Sequence, residues 1–213
     1  MPESIPPAVA TASTRDRLLD AASRLFYEEG VHVGVDTLCR AAGVSKRSMY
    51  KLFDSKDELV AASLERAAPD YELDLLPASD DCRSPRSRIL HVFERLEHLE
   101  RAHEFRGCPF VAAAIQVKSR EHPASRVARR QKDKLTSFFQ YEAGRGGAPD
   151  PVMLARQLTV VFDGASAQSV VQAQDLDGLA IATAGVLLDA AGLSSPDDCA
   201  VPNAITGVAE SAR

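Results

Sequence analysis

Arg40, Lys46, Arg47 and Lys51 concentrate positive charge in a stretch that holds no carboxylate, within a chain of formal net charge −5. Ser45, Ser48 and Tyr50 add hydroxyl groups to the same stretch. Cationic N–H donors and hydroxyls carried on one side of a short helix suit hydrogen bonding to phosphate oxygens and to the edges of bases. Lys46, Arg47 and Ser48 are the candidates for base edges, an Arg or Lys favouring the O6 and N7 of guanine. Ser45, Tyr50, Lys51 and Lys56 are the candidates for phosphate contacts that set register. The simpler alternative for Lys46 and Arg47 is ordinary surface charge.

Those groups need a helix to hold them, and residues 35–60 supply the punctuation. Asp36 and Thr37 suit a first helical turn, where backbone N–H groups lack partners. Leu38, Ala41 and Ala42 recur at helical spacing, and Gly43 is the residue best able to take a left-handed C-terminal cap. Val44 can plug the corner, and Ser45 is a good N-cap for a second helix predicted over 46–53. In that helix Met49, Leu52 and Phe53 are expected to pack inward. Asp54 or Ser55 then caps a third helix, with Lys56 in its first turn. A cation there is unfavourable unless an anion such as a DNA phosphate lies nearby. Two short helices joined by a Gly-centred turn and followed by a third make a helix-turn-helix.

The stretch resembles the N-terminal domain of the TetR family of transcriptional regulators. The resemblance rests on the Ala-Gly-Val-Ser turn at 42–45, on Ser45, Tyr50 and Phe53 in the second helix, and on Ser-Lys-Asp-Glu-Leu at 55–59. Upstream, Arg17, Leu18, Leu19, Ala22, Leu25, Phe26 and Gly30 resemble the family's first helix and its terminating glycine. Downstream, the Arg106-Gly107-Cys108-Pro109-Phe110 run and Asp163-Gly164-Ala165 resemble one subgroup's ligand-binding domain, so that the likeness covers residues 13 to 192. Gly34 and Leu52 depart from the family, many of whose members carry Thr and His there. The departures bear on the number of phosphate contacts.

Composition agrees with a helical chain of this kind. The 213 residues are 45% hydrophobic but only 6% aromatic, and richness in Leu, Ala and Val favours helices over sheet. The expected fold class is all-α, with an N-terminal three-helix domain and a larger C-terminal helical domain. The segments are an arm at 1–12, the helix-turn-helix domain at 13–60 with a linking helix to about 68, a helical body at 69–192 and a loose tail at 193–213. Pro69 is expected to end the linking helix. Breakers then divide the body into helices near 85–105, 109–119, 123–143, 150–173 and 178–191. No apolar run approaches the roughly 20 residues that span a bilayer, and the N-terminus lacks a secretory pattern. A cytoplasmic protein with reduced cysteines is expected.

Other chemistry has little support. No Walker, dinucleotide or G-x-S-x-G pattern occurs, and no enzyme activity or cofactor is expected. His91, His98, His103 and Cys108 lack the spacing of a helical metal site, so no metal is expected. Cys108 invites a redox role, but a buried small hydrophobe is the better reading. Arg126, Arg129, Arg130, Lys132 and Lys134 read as a solvated helix face, because no turn geometry presents them to a groove.

Two further expectations concern the body. Val152, Leu154, Leu158, Val161, Phe162, Ala165, Ser169 and Val170, with Leu179, Ala182, Val186 and Leu187, could pair with a second subunit in a four-helix bundle. The same residues could fill the subunit's own core. The resemblance implies a homodimer on a palindromic double-stranded DNA operator, released by a small-molecule effector. Candidate pocket residues are Phe93, Leu96, Cys108, Phe110, Ala113, Phe138 and Phe162, whose alternative role is core packing. The rival function is a small-molecule- or protein-binding helical module whose helix-turn-helix no longer binds DNA.

Overall fold

The computed structural model describes residues 12–102 and 105–193. The arm at 1–12 and the tail at 193–213 lie outside them except for Ala12 and Leu193, as do His103 and Cys199. Every regular element among the described residues is an α-helix: α1 (Thr14–Glu28), α2 (Val35–Ala42), α3 (Lys46–Leu52), α4 (Lys56–Leu75), α5 (Pro85–Glu100), α6 (Pro109–Val117), α7 (Pro123–Arg145), α8 (Pro151–Gln172) and α9 (Leu179–Ala190).

Local chemistry accounts for most helix starts. Ser13, Ser45, Ser55, Ser84 and Asp150 each accept a backbone N–H three residues on, which satisfies one of the orphan donors of a helix N-terminus. Proline opens α5, α6, α7 and α8, where its fixed φ suits the helix and its missing N–H costs nothing. Gly43 ends α2 at φ 63°, ψ 38°, the left-handed cap its position predicts.

The helix α4 corrects one expectation. It does not stop near Ala68 but runs through Pro69 to Leu75. Pro69 lies on the exposed side, so the carbonyl left without its N–H partner belongs to the helix's outer face. On the inner face Ala68, Tyr71 and Leu75 pack into the interior. That burial outweighs a helix-interior proline, whose cost is about 3 kcal/mol. The connection between α4 and α5 is also more ordered than its polar, Pro-containing composition suggests. Buried Arg88 donates to the carbonyls of Ala78 and Asp81 at 2.9 and 3.0 Å and to Glu142, itself fully buried, at 2.8 Å.

Two buried clusters organise the molecule. The first joins α1–α4 with Cys108, Phe110 and Ala113 and the start of α7. The second joins Leu75 with α5, the later part of α7, α8 and α9. Tyr71 packs against both. α4 therefore belongs to the head and to the body at once. No helix among the described residues is long and apolar enough to cross a membrane.

Candidate nucleic-acid interface

Helix α3 owes its orientation to two neighbours. Met49 is fully buried and Phe53 nearly so, and they anchor α3 against α1 and α2. At the N-terminus the Ser45 hydroxyl accepts the Ser48 N–H at 3.1 Å and lies 2.9 Å from the Ser48 hydroxyl. With the inner edge fixed, Ser45, Lys46, Arg47, Tyr50 and Lys51 are exposed, and Ser48 and Lys56 are half-exposed. The structure thus brings all seven sequence-predicted contact residues to the α3 surface and the adjoining start of α4. Leu52 differs from expectation: it is 40% exposed rather than packed inward. At the last position of a seven-residue helix it turns away from the side that Met49 buries.

Charge is arranged unevenly on this surface. The Lys46 ammonium lies 2.8 Å from Asp36, whose hydrogen bond and negative charge raise its pKa. The pair ties α3 to α2, and sequence reading missed it. Among the described residues no carboxylate pairs with Arg40, Arg47, Lys51 or Lys56. Arg15 adds a cation over the Phe53 ring, 5.4 Å from its centroid. At the start of α4, the Ser55 hydroxyl accepts the Glu58 N–H and Glu58 accepts the Asp54 N–H, at 3.1 and 3.0 Å. This reciprocal cap fixes the turn that follows α3.

The second basic cluster is built differently. Arg130 pairs with Glu65 and Lys134 with Glu72, both at 2.6 Å, while Lys132 pairs with Asp163. These ion pairs link α7 to α4 and α8, while Arg126, Arg129, Arg130 and Lys134 stay exposed and Lys132 is half-buried, so the cluster is mostly the solvated helix face expected.

The head is also tied to the body. The Tyr27 hydroxyl of α1 donates to the Gly107 carbonyl at 3.2 Å and accepts the Arg106 N–H at 2.8 Å. The Val31 N–H donates to Gln116 of α6 at 2.8 Å. A Cβ on Gly30, at φ +95°, would lie 2.6 Å from that Gln116 oxygen, so glycine permits both the turn and the bond.

Beside these ties, an apolar cavity of about 400 Å³ opens between α1, α4, the end of α5 and α6. Of the seven expected pocket residues only Ala113 lines it. Phe93, Leu96 and Phe162 are fully buried in the body core, with Phe93 stacked on Phe139 at 5.7 Å and edge-on to Phe162 at 6.3 Å. Phe138 is half-buried on the margin of that core. Cys108 and Phe110 are buried in the head cluster, and Phe110 borders two other clefts beside α7. Aromatic residues at helical spacing look alike whether they fill a core or line a void, so spacing alone does not separate the two.

Cys108 is buried and its N–H donates to the Ser166 hydroxyl at 2.7 Å. Cys39, like Cys108, carries a free, buried thiol. Among the described residues no group of His, Cys, Asp and Glu is arranged to hold a metal.

Known proteins agree with this geometry. The model of the bacterial regulatory proteins of the tetR family matches residues 18–63, which span the head. A crystal structure of a candidate TetR transcriptional regulator from Streptomyces avermitilis is 55% identical, covers 85% of this chain and 99% of its own, and superposes with a TM-score of 0.83. A TetR-family regulator from Streptomyces coelicolor is 28% identical with a TM-score of 0.73, over 83% of this chain and 95% of its own. A transcriptional activator from Mycolicibacterium smegmatis is 32% identical over 48% of this chain and 52% of its own. A helix-turn-helix regulator from Mycobacterium tuberculosis is 32% identical over 38% of this chain, and the match spans 40% of that relative's length. These relatives are transcriptional regulators. The chain belongs to the TetR family and is a DNA-binding transcriptional regulator.

Proposed function

We propose that the protein is a homodimeric repressor that grips a palindromic operator with two α3 helices and releases it when a small molecule occupies the helical body. It acts in the cytoplasm. The observation that carries the reading is the outer face of α3, where Arg47, Tyr50 and Lys51 are exposed on a helix anchored by buried Met49. Arg47 is the main base reader, because Lys46 is already held by Asp36. Ser48 supports it, and Ser45, Tyr50, Lys51 and Lys56 hold phosphates. Two copies would set their α3 helices about 34 Å apart, one turn of B-DNA, or a little more.

The second copy is supported by α8 and α9. Met153, Val160, Gly164, Ala167 and Val171 form an exposed stripe along α8, joined by Leu179, Ala182 and Val186 of α9. Leu154, Leu158, Phe162 and Ser169 face the chain's own core instead, so the dimer face is offset from the one the sequence suggested. Apolar and small residues in such a row suit a helix-on-helix interface.

Arg47→Ala tests the reading on a randomised DNA library. It is expected to cost about 1–3 kcal/mol and to relax preference at one position, whereas Lys51→Ala weakens all sequences alike. Uniform weakening by Arg47→Ala would remove its role as base reader. The activator from Mycolicibacterium smegmatis favours activation as a second reading, and a reporter placed behind the operator separates the two.

A further inference from the structure

The cavity between α1, α4, α5 and α6 can be assigned a ligand class from the groups that line it. Its walls are largely apolar, with Phe26, Leu64, Leu99, Phe105 and Ala113 among them, and about 400 Å³ lies within the range of sites for drug-sized molecules. Six lining residues carry polar side chains, and nearly all are committed elsewhere. The Ser23 hydroxyl donates to the Ser63 carbonyl at 3.1 Å, and the Ser63 hydroxyl to the Val60 carbonyl at 2.8 Å. The Tyr27 hydroxyl both donates and accepts across the 106–107 backbone. Arg24 pairs with Glu28 at 3.2 Å, and Asp74 lies 3.9 Å from Arg95. The Tyr71 hydroxyl has no hydrogen-bond partner among the described residues but is sealed from solvent. The rim therefore carries one charge of each sign, each with its own counter-ion, and the described walls offer an ion no charged partner in return for its hydration.

The geometry points to a neutral, predominantly apolar small molecule as the ligand of this cavity, seated against α1 of the DNA-binding head itself. The inference rests on the effector reading above and names the site and the chemistry for it. A charged molecule entering here loses its water shell without a partner, which a neutral one of the same shape does not. Phe26 and Val31 belong to the head, and Phe105 and Pro109 flank the loop that Tyr27 holds. A ligand thus touches both sides of the junction between head and body, so its binding free energy depends on how they are set.

Two dyes that share one ring system test this on the full chain without DNA: neutral N-phenyl-1-naphthylamine and its anionic counterpart, anilinonaphthalene sulfonate. The neutral dye is expected to bind saturably at one per chain, and the sulfonate about ten-fold or more weakly. Ala112→Phe and Ala67→Phe, which fill the cavity from α6 and α4, should abolish binding of the neutral dye. Ile115→Phe, on the outer side of α6, should leave it unchanged, with melting temperatures confirming that each variant folds. Absence of saturable binding, binding unaffected by both filling variants, or equal affinity for the two dyes would overturn the inference. Adding operator DNA separates it from the broader reading. A dye that binds as expected but leaves DNA affinity unchanged supports the site and contradicts effector release.

Discussion

Gly34 precedes α2 at φ −74°, ψ 152° and supplies no side-chain cap. Those angles suit any L-residue, and a Cβ there meets nothing within 4 Å. Gly34→Thr should therefore stabilise the chain by about 0.5 kcal/mol, through a new cap and a less flexible unfolded state. It should also tighten DNA binding through an added phosphate contact. A lower melting temperature would show that the position does not cap α2. The caps at Ser45, Ser55 and Gly43 were legible because each acts on backbone four residues or fewer away. The Lys46–Asp36 pair was not, since it depends on how α2 and α3 cross. If that pair mainly fixes the helix angle, Lys46→Ala should weaken all DNA sequences alike and leave base preference intact, as fluorescence anisotropy on operator variants would show. A change of preference at one base pair would return Lys46 to the base readers.

At the scale of elements, helix α9 shows what local reading cannot supply. Its N-cap, Gly178, has no side chain to offer. The cap comes instead from buried Glu97 of α5, whose carboxylate accepts the N–H groups of Gly178, Ala180 and Ile181 at 2.8, 3.0 and 3.2 Å. An anion at this end also meets the positive end of the helix dipole. Glu97→Ala should cost about 2–4 kcal/mol, because it strands one buried and two half-buried donors at once. Glu97→Gln should cost less, since it keeps an acceptor. Urea denaturation checks the order, and equal losses for the two would mean that Glu97 acts through packing alone. The same logic explains Pro69: sequence rules price the proline locally, while the burial that carries α4 onward comes from helices far along the chain. It explains the candidate pocket as well. The spacing of Phe93, Leu96 and Phe162 identified inward faces correctly but could not say whether the inward space was filled.

For the whole molecule, the two buried clusters share α4 and Tyr71, so a strain placed at the cavity between α1 and α6 acts on head and body together. The all-helical class and the division into head and body were legible from composition, periodicity and breakers. The proposed dimer face lies on the helices the sequence indicated but on other residues, because α8 is apolar on more than one side and its own core claims the larger side chains. Val160 is 71% exposed and Val186 67%. Val160→Glu with Val186→Glu should therefore leave the fold intact while shifting the protein to monomer in sedimentation velocity, with loss of binding to paired half-sites. A dimer that survives both changes would place the interface elsewhere. The central claim is that α3 reads sequence, and it is tested most directly by selecting genomic fragments with the purified protein at two salt concentrations. Phosphate contacts alone weaken steeply with salt and leave no sequence signature. A palindromic motif recovered at both concentrations is the predicted result. Salt-labile binding without a motif would contradict it and leave a helical ligand-binding module whose head no longer reads DNA.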